Sequence, residues 1–479
     1  MTAHDPKLRA DHSNEIALYE KRKGVFPKAI NGPFRRFKWL VMIVCLGIYW
    51  GTPWIRWDRG PYAPDQAVLI DLAHRRFFMF DIEIWPHEFY FVAGLLIMAG
   101  IGLFLVTSAV GRAWCGYACP QTVWTDLFIL VERWVEGDRN ARLRLFRQGW
   151  NAEKIGKRGL KWTLWLLIGL ATGGAWVFYF TDAPTLARDL VAGTAHPVAY
   201  ATMAVLTLTT FTFGGFFREQ ICIYACPWPR IQAAMMDEDT ITIGYRDWRG
   251  EPRGKQSVAG NGDCIDCMAC VNVCPMGIDI RDGQQMACIT CGLCIDACND
   301  VMERIGKPQN LISYLALTDE VDERAGRPAR RVWRHIFRPR TLLYTVLWSG
   351  VGVGLVVALF LRSDLDVDVS PVRNPTYVTL SDGSVRNSYV LRLRNKTADA
   401  RAFQITARTD VPLVLTIEGS DGLFVRVPAD ATLEVEAHVT APAGSPAATS
   451  DQSDLRLWIE DPQGRDRVAK DTTFNGKGE

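Results

Sequence analysis

The sequence predicts a multi-domain membrane protein with three parts: an α-helical transmembrane bundle of five spans, a bacterial ferredoxin-like α+β insert, and a C-terminal all-β immunoglobulin-like sandwich. Three observations carry this. Apolar residues, 48 % of the chain, gather into long uninterrupted runs. Eight cysteines fall inside Gly262–Asn299 in two copies of one spacing. After Leu361 the pattern turns to short alternations of apolar and polar residues. At 479 residues there is length for several domains.

Taken in order, residues 1–38 carry Lys21, Arg22, Lys23, Lys28, Arg35, Arg36 and Lys38 and read as a loosely ordered cytoplasmic basic tail. Five apolar runs follow: Trp39–Ile55, Phe89–Val110, Leu160–Phe180, Val198–Phe217 and Thr341–Leu361. Each approaches the ~20 residues a helix needs to cross a bilayer. Trp39, Trp54, Trp57, Trp162 and Trp176 stand at the run ends, where interfacial belts form. The first run starts after a basic stretch and lacks a small-residue cleavage site, so it reads as a retained anchor. Buried helices of a soluble protein explain five such runs poorly.

Basic residues crowd Arg112–Lys161 and Arg330–Arg340, whereas Pro184–Pro197 holds only Arg188. The positive-inside rule then places the N-terminus, residues 112–159 and residues 218–340 in the cytoplasm, and the C-terminal segment in the periplasm. The expected domains are residues 39–235 (four membrane helices), 236–310 (cytoplasmic, two-cluster), 311–340 (basic linker), 341–361 (fifth span) and 362–479 (periplasmic sandwich). A net charge of +2 gives no ground for a nucleic-acid partner.

Within the insert, Cys264, Cys267, Cys270 and Cys274 have the spacing C-x2-C-x2-C-x3-C followed by Pro275. Cys288, Cys291, Cys294 and Cys298 repeat it, with Asn299 in place of the proline. In the bacterial ferredoxin run the fourth cysteine of each set serves the other cluster. The expected ligands of one 4Fe–4S cluster are therefore Cys264, Cys267, Cys270 and Cys298. Those of the second are Cys288, Cys291, Cys294 and Cys274. Zinc knuckles would use two CxxC pairs with a longer gap, and disulfides need an oxidising compartment. Between the runs Ile278 and Ile280 alternate with polar residues before Asp282-Gly283, as in a hairpin.

The second and fourth apolar runs end alike. Arg112-Ala-Trp-Cys115-Gly-Tyr-Ala-Cys119-Pro120 and Arg218-Glu-Gln-Ile-Cys222-Ile-Tyr-Ala-Cys226-Pro227 share C-x-Y-A-C-P, and both runs begin beside a histidine, His87 or His196. The first four helices read as two duplicated hairpins. Proline disfavours helical geometry in the residue before it, so each helix should stop at the second cysteine. Two such pairs offer four soft thiolates, suited to Cu(I) or an iron–sulfur species; the plainer alternative is four small residues that allow close packing. His87 and His196, with Asp81 and Glu83 near the first, suit Cu(II) at the outer ends, against the plainer role of interfacial histidines. Cys45 reads as packing, as does Gly214-Gly215. No histidine pair lies within the runs, which argues against bis-histidine haem. There is no phosphate loop, GxSxG or HExxH.

Beyond Leu361, alternations at Tyr377–Leu380, Tyr389–Leu393, Phe403–Ala407, Leu413–Ile417, Leu423–Val427, Leu433–Val439 and Leu455–Ile459 are separated by turn residues. They suggest an antiparallel sandwich without a disulfide, suited to docking a partner.

With these residues in view the chain resembles the CcoG/FixG/RdxA family of cbb3-type cytochrome oxidase accessory proteins. The carrying segments are Cys115-GYAC-Pro120-QTVWTDLF, Val131-ERWVEGDR, Cys222-IYACPW, Tyr245-RDWRGEPRG, Gly262-DCIDCMACVNVCPMGIDIRDG, Cys288-ITCGLCIDACNDVM and Tyr377-VTLSDGSVRNSYVLRLRNKT. The resemblance implies a bacterial cytoplasmic-membrane protein that reduces Cu(II) to Cu(I) for oxidase assembly. It also implies that Cys115, Cys119, Cys222 and Cys226 handle copper. Expected partners are membrane lipid, copper-delivery proteins, oxidase assembly factors and a cytoplasmic electron donor; association of copies of the chain is compatible. Met276 and Asn299 depart from generic ferredoxin residues beside cluster ligands, which bears on potential more than on binding. Two rival functions stay open: a quinone-linked membrane ferredoxin conduit, and a non-enzymatic assembly scaffold stapled by its clusters.

Overall fold

The structure, a computed structural model, describes residues 24–478 apart from 61–62, 256–257, 363–364, 398, 409–410, 421 and 463–465. Lys21, Arg22 and Lys23 of the expected tail lie outside the described residues. The helices that position the site are α1 (Pro33–Gly51), α2 (Tyr90–Val110), α3 (Ala113–Tyr117), α4 (Pro120–Glu136), α5 (Arg139–Arg147), α6 (Ala152–Val177), α7 (Ala183–Ala192), α8 (Pro197–Thr212) and α9 (Trp228–Met235). Strands β1 (Val68–Asp71), β2 (Arg76–Met79), β3 (Ile82–Ile84), β4 (Thr242–Tyr245) and β5 (Ile312–Leu315) precede a long helix at Pro339–Phe360. The chain divides into two compact units. One holds the chain up to Gly47 with Ile101–Gly173 and Ala201–Thr345; the other holds Ile48–Gly100, Gly174–Tyr200 and Val346–Glu479.

Four helices, Pro86–Val110, Ala152–Val177, Pro197–Phe217 and Pro339–Phe360, are long and apolar enough to cross a membrane. They match the last four expected runs. The first run is drawn into α1, whose 19 residues open on Pro33 with Arg35, Arg36 and Lys38 in the first turns and stop at Gly51. The cationic start shortens the apolar part of α1, and Pro53 follows without an N–H to donate.

In the first unit, residues 24–38 are packed, contrary to the loose tail expected. The Lys28 N–H donates to the Asn272 carbonyl at 2.8 Å. At the start of α1, the N–H groups of Phe34 and Arg35 donate to the Asp296 carboxylate at 3.3 and 2.8 Å, which satisfies two orphan donors of a helix N-terminus. Arg139 and Arg142 donate to the carbonyls of Phe26 and Pro27 at 2.8 and 2.6 Å. Arg35 itself is buried against Asp126 at 2.9 Å. Small residues bring the helices together: a Cβ on Gly173 would meet the Met203 carbonyl at 2.6 Å, and one on Gly215 the Trp165 ring at 2.8 Å.

The cysteine-rich part of this unit packs around Ile243, Tyr245, Ile280, Ile295, Met302, Leu311 and Ile312. Its only paired strands among the described residues lie outside the two cysteine runs: β4 and β5 pair antiparallel, Ile243 opposite Tyr314. The expected hairpin between the runs is absent. Ile280–Asp282 forms a single 3₁₀ turn, because the Asp279 carboxylate accepts the Arg281 N–H at 3.0 Å and Gly283 ends it at φ +97°. Since β5 belongs to this core, the unit extends past the expected boundary at 310. The expected linker likewise holds helices Leu317–Arg324 and Val332–Ile336.

In the second unit, β1-β2-β3 form an antiparallel sheet between the first and second apolar runs. The C-terminal part adds β6 (Leu365–Pro371), β7 (Val378–Thr379), β8 (Val385–Asn395), β9 (Arg401–Arg408), β10 (Val414–Ile417), β11 (Phe424–Val427), β12 (Ala431–Ala441), β13 (Gln452–Glu460) and β14 (Arg467–Asn475). One sheet runs β10-β12-β8-β6, with β7 also on β8; the other runs β11-β9-β13-β14. Their inner faces share one core containing Tyr389, Leu391, Phe403, Ile405, Val439, Leu455 and Leu457. The Tyr389 hydroxyl donates across it to the Thr473 carbonyl at 2.7 Å. Seven strands were expected; β6, where Leu365, Val367 and Val369 alternate with aspartates, and β14 were not among them. Leu391 is fully buried, so Leu391→Ala is expected to destabilise this domain by about 2–5 kcal/mol, read as a lowered thermal midpoint.

Candidate functional site

The structure gathers the eight cysteines into two neighbouring groups. Cys298 lies among Cys264, Cys267 and Cys270, within electrostatic range of all three. Cys294 faces Cys274, Cys288 and Cys291 in the same way. The second set faces a small apolar cavity, lined by Cys274, Cys288, Cys291 and Cys294 with Ile243, Met276, Ile278 and Leu293. Burial pushes the Cys270, Cys288 and Cys298 thiols up to about 12 and Cys274 up to about 11. Thiols so buried carry charge only beside a metal's positive charge. Two groups of four cysteines, one of them facing a cavity, fit two 4Fe–4S clusters. Cys267 is the exposed thiol of the first set, flanked by Asp266 and Met268 at φ +54° and +58°.

The CxxxCP segments are built alike to a degree the sequence only suggested. Each long helix breaks at a residue of positive φ: Gly111 at +57° and Arg218 at +40°. Each segment then closes with an i to i−5 hydrogen bond, Cys119 N–H to Trp114 O at 2.9 Å and Cys226 N–H to Ile221 O at 2.8 Å. At both second cysteines the backbone turns extended, with ψ of 128° and 126°, as the following prolines demand. A left-handed arginine is strained. Arg218 is held there by its own guanidinium, which donates to Gly215 O at 2.7 Å and Glu132 at 2.5 Å.

Cys119 and Cys226 both lie within electrostatic range of Cys115 and Cys222, so the duplicated pairs converge. Burial raises the Cys115 thiol against the pull of Arg112, and raises Cys222 to about 12. A metal binding here therefore displaces protons. Among the described residues no three Cys, His, Asp or Glu side chains close on a single ion. Nor do His87, His196, Asp81 and Glu83 converge. His87 faces Asp366 at 3.3 Å, Asp81 accepts from Trp57 at 2.9 Å, Glu83 pairs with Arg76 at 3.1 Å, and His196 Nδ1 accepts the Val198 N–H at 3.3 Å.

The pairs sit on the second cysteine set. Cys115, Met276, Ile289, Cys291 and Leu293 share a buried cluster with Cys222 and Ile223 packed against it. A Cβ on Gly116 would meet the Ile289 carbonyl at 2.4 Å and the Cys291 Cα at 3.1 Å. The Tyr117 hydroxyl donates to the Cys291 carbonyl at 3.0 Å, and Tyr314 to the Thr290 carbonyl at 2.8 Å. Cys115 donates to Gln232 Oε1 at 3.2 Å, and Gln232 Nε2 in turn to Thr107 at 3.2 Å. Sequence reasoning missed Gly116, Gln232 and the two tyrosines as site residues. Only Gly116 left a signal, standing where the second copy has Ile223.

Residues 217–316 match the family model of a 4Fe-4S dicluster domain, residues 91–137 that of a 4Fe-4S binding domain, and residues 355–477 the IG-like fold at C-terminal of FixG. The middle match contains only Cys115 and Cys119 as cysteines, too few for a cluster of its own. Protein RdxB of Cereibacter sphaeroides is 68% identical over 467 residues, covering 96% of this chain and 98% of that protein. Protein RdxA of the same organism is 65% identical, with 96% and 98% covered. Nitrogen fixation protein FixG of Rhizobium meliloti is 53% identical, with 96% and 94% covered. With its gathered cysteines and membrane-length helices the protein is a membrane iron–sulfur electron-transfer protein. Similarity at this level over nearly the whole length means that the chain belongs to the FixG/RdxA family.

Proposed function

We propose that this protein reduces Cu(II) to Cu(I) at Cys115, Cys119, Cys222 and Cys226, supplying Cu(I) for assembly of a cbb3-type oxidase. The observation that supports this most directly is the contact of Gly116 with Ile289 and Cys291, which sets thiol pairs suited to soft Cu(I) against a cluster-binding loop. Bound by their eight cysteines, the 4Fe–4S clusters supply one-electron reducing power. Cu(II) gains one electron and a cytoplasmic one-electron donor loses one, with no bond broken beyond exchange of copper ligands. Buried thiols hold the product through sulfur, and Gln232 orients Cys115. The exposed Cys267 loop offers the donor its approach.

The proposed orientation puts the cysteine-rich unit in the cytoplasm and the sandwich in the periplasm. Five spans agree with the division of the chain, because α1 runs from the first unit into the second as the other four helices do.

Changing Cys115, Cys119, Cys222 and Cys226 to alanine is expected to slow Cu(II) reduction by more than the roughly 10–100-fold that outer-shell changes cost at metal sites, with iron content kept. Rates left unaltered would remove copper from this site. Cluster reduction by a quinol without copper would favour a quinone-linked conduit instead.

A further inference from the structure

Arg112 opens the first CxxxCP turn and is 3 % exposed. Its backbone N–H donates to Thr290 Oγ1 at 3.3 Å, and its Nη1 donates to the carbonyls of Cys288, at 3.1 Å, and Met286. Its Nε is buried without an acceptor. Among the described residues no carboxylate pairs with it. The other buried arginines each have one: Arg35 has Asp126 at 2.9 Å, Arg142 has Glu132 at 2.7 Å, Arg281 has Asp279 at 2.6 Å, and Arg401 has Asp466 at 2.7 Å. A guanidinium stays charged in a protein, and a buried charge left uncompensated is strongly disfavoured. The groups facing Arg112 that can carry negative charge are thiols, Cys115 and Cys222 toward the membrane helices and Cys288 in the cluster loop.

We infer that Arg112 is the shared counter-charge of two anionic centres: the second iron–sulfur cluster, on Cys274, Cys288, Cys291 and Cys294, and the metal thiolate formed by Cys115 and Cys222 with their partners. The cluster half stands on the iron–sulfur assignment alone. The thiolate half rests on the copper function proposed above. Among the described residues no unpaired buried arginine stands beside the first cysteine set. Arg281 beside it is neutralised by Asp266 at 2.5 Å and Asp279 at 2.6 Å. Reduction adds negative charge to a cluster, so the unneutralised cation makes the second cluster the easier one to reduce.

The test is a potentiometric titration with EPR detection on purified full-length protein free of copper, as wild type, Arg112→Gln and Arg112→Lys. The Gln variant is expected to lower the midpoint of one cluster by at least 59 mV, the one-electron equivalent of tenfold. The other midpoint stays, and Lys restores most of the loss. Unmoved midpoints in a Gln variant that holds both clusters overturn the proposal. If the Gln variant does not hold the second cluster, the Lys variant decides. Retention near the wild-type midpoint supports counter-charge, and loss from both variants assigns Arg112 to clamping carbonyls instead. Anaerobic Cu(I) competition with a chromophoric chelator reads the thiolate half, with tenfold weaker binding expected for Gln. A wild type that binds no Cu(I) would end the copper function while leaving the cluster half to the potentials.

Discussion

Replacing Gly116 with alanine is expected to slow the proposed Cu(II) reduction by about 10²-fold, either with the loss of one cluster's iron and acid-labile sulfide or with both clusters kept. The cause is steric. The new Cβ would lie 2.4 Å from the Ile289 carbonyl and 3.2 Å from the Cys291 nitrogen, and backbone atoms cannot swing aside as a side-chain tip can. Either Cys291 leaves its place among the second set, or α3 lifts off and carries Cys115 with it. EPR of the reduced protein separates the two, because only the first loses a cluster signal. The duplicated position is the control: Ile223 already accommodates a side chain there, so Ile223→Val should change little. Full iron content with a normal rate in Gly116→Ala would show that this contact is not needed.

Glu132→Gln is expected to cost about 3–5 kcal/mol, the range for breaking a buried ion pair. Glu132 is buried among Arg142 at 2.7 Å, Arg218 at 2.5 Å and Lys161 at 3.4 Å. Burial alone would raise its carboxyl, but the three cations outweigh this and hold it down to about 2, from 4.5. A depressed carboxyl stabilises the fold fully above 4.5, and that contribution is lost as pH falls toward 2. The difference in thermal midpoint between wild type and variant should therefore be largest near neutrality and shrink below pH 4.5; a pH-independent difference would point to packing. The effect should reach the thiols as well. Arg218 keeps its strained φ of +40° partly through Glu132, and four residues later comes Cys222.

The parts of this molecule that could be read in advance are those set by short-range rules. The spacing of Cys264 to Cys298 gathers the thiols into two sets, and Pro120 and Pro227 dictate the extended backbone at Cys119 and Cys226, although the long helices already break at Gly111 and Arg218. The rest depends on partners far along the chain. Arg139 and Arg142 look like solvated positive-inside charges, yet they donate to Phe26 and Pro27. Asp282-Gly283 does form a turn, but Asp279 captures the Arg281 N–H and leaves no strand to pair. Gln232 has no local signature, since its two hydrogen bonds go to Cys115 and Thr107 on other elements. The outer histidines failed as a metal site because nearby carboxylates and backbone take them up.

The segment ahead of α1 has a consequence for biosynthesis. Its anchor Asp296 lies 261 residues beyond Arg35, and contacts so distant in sequence form late because loop closure must be paid for first. Val25 also packs on Gly277, just past the first cysteine run, and Phe34 on Gly292, inside the second. A stretch synthesised early is therefore expected to dock late, after both runs have folded.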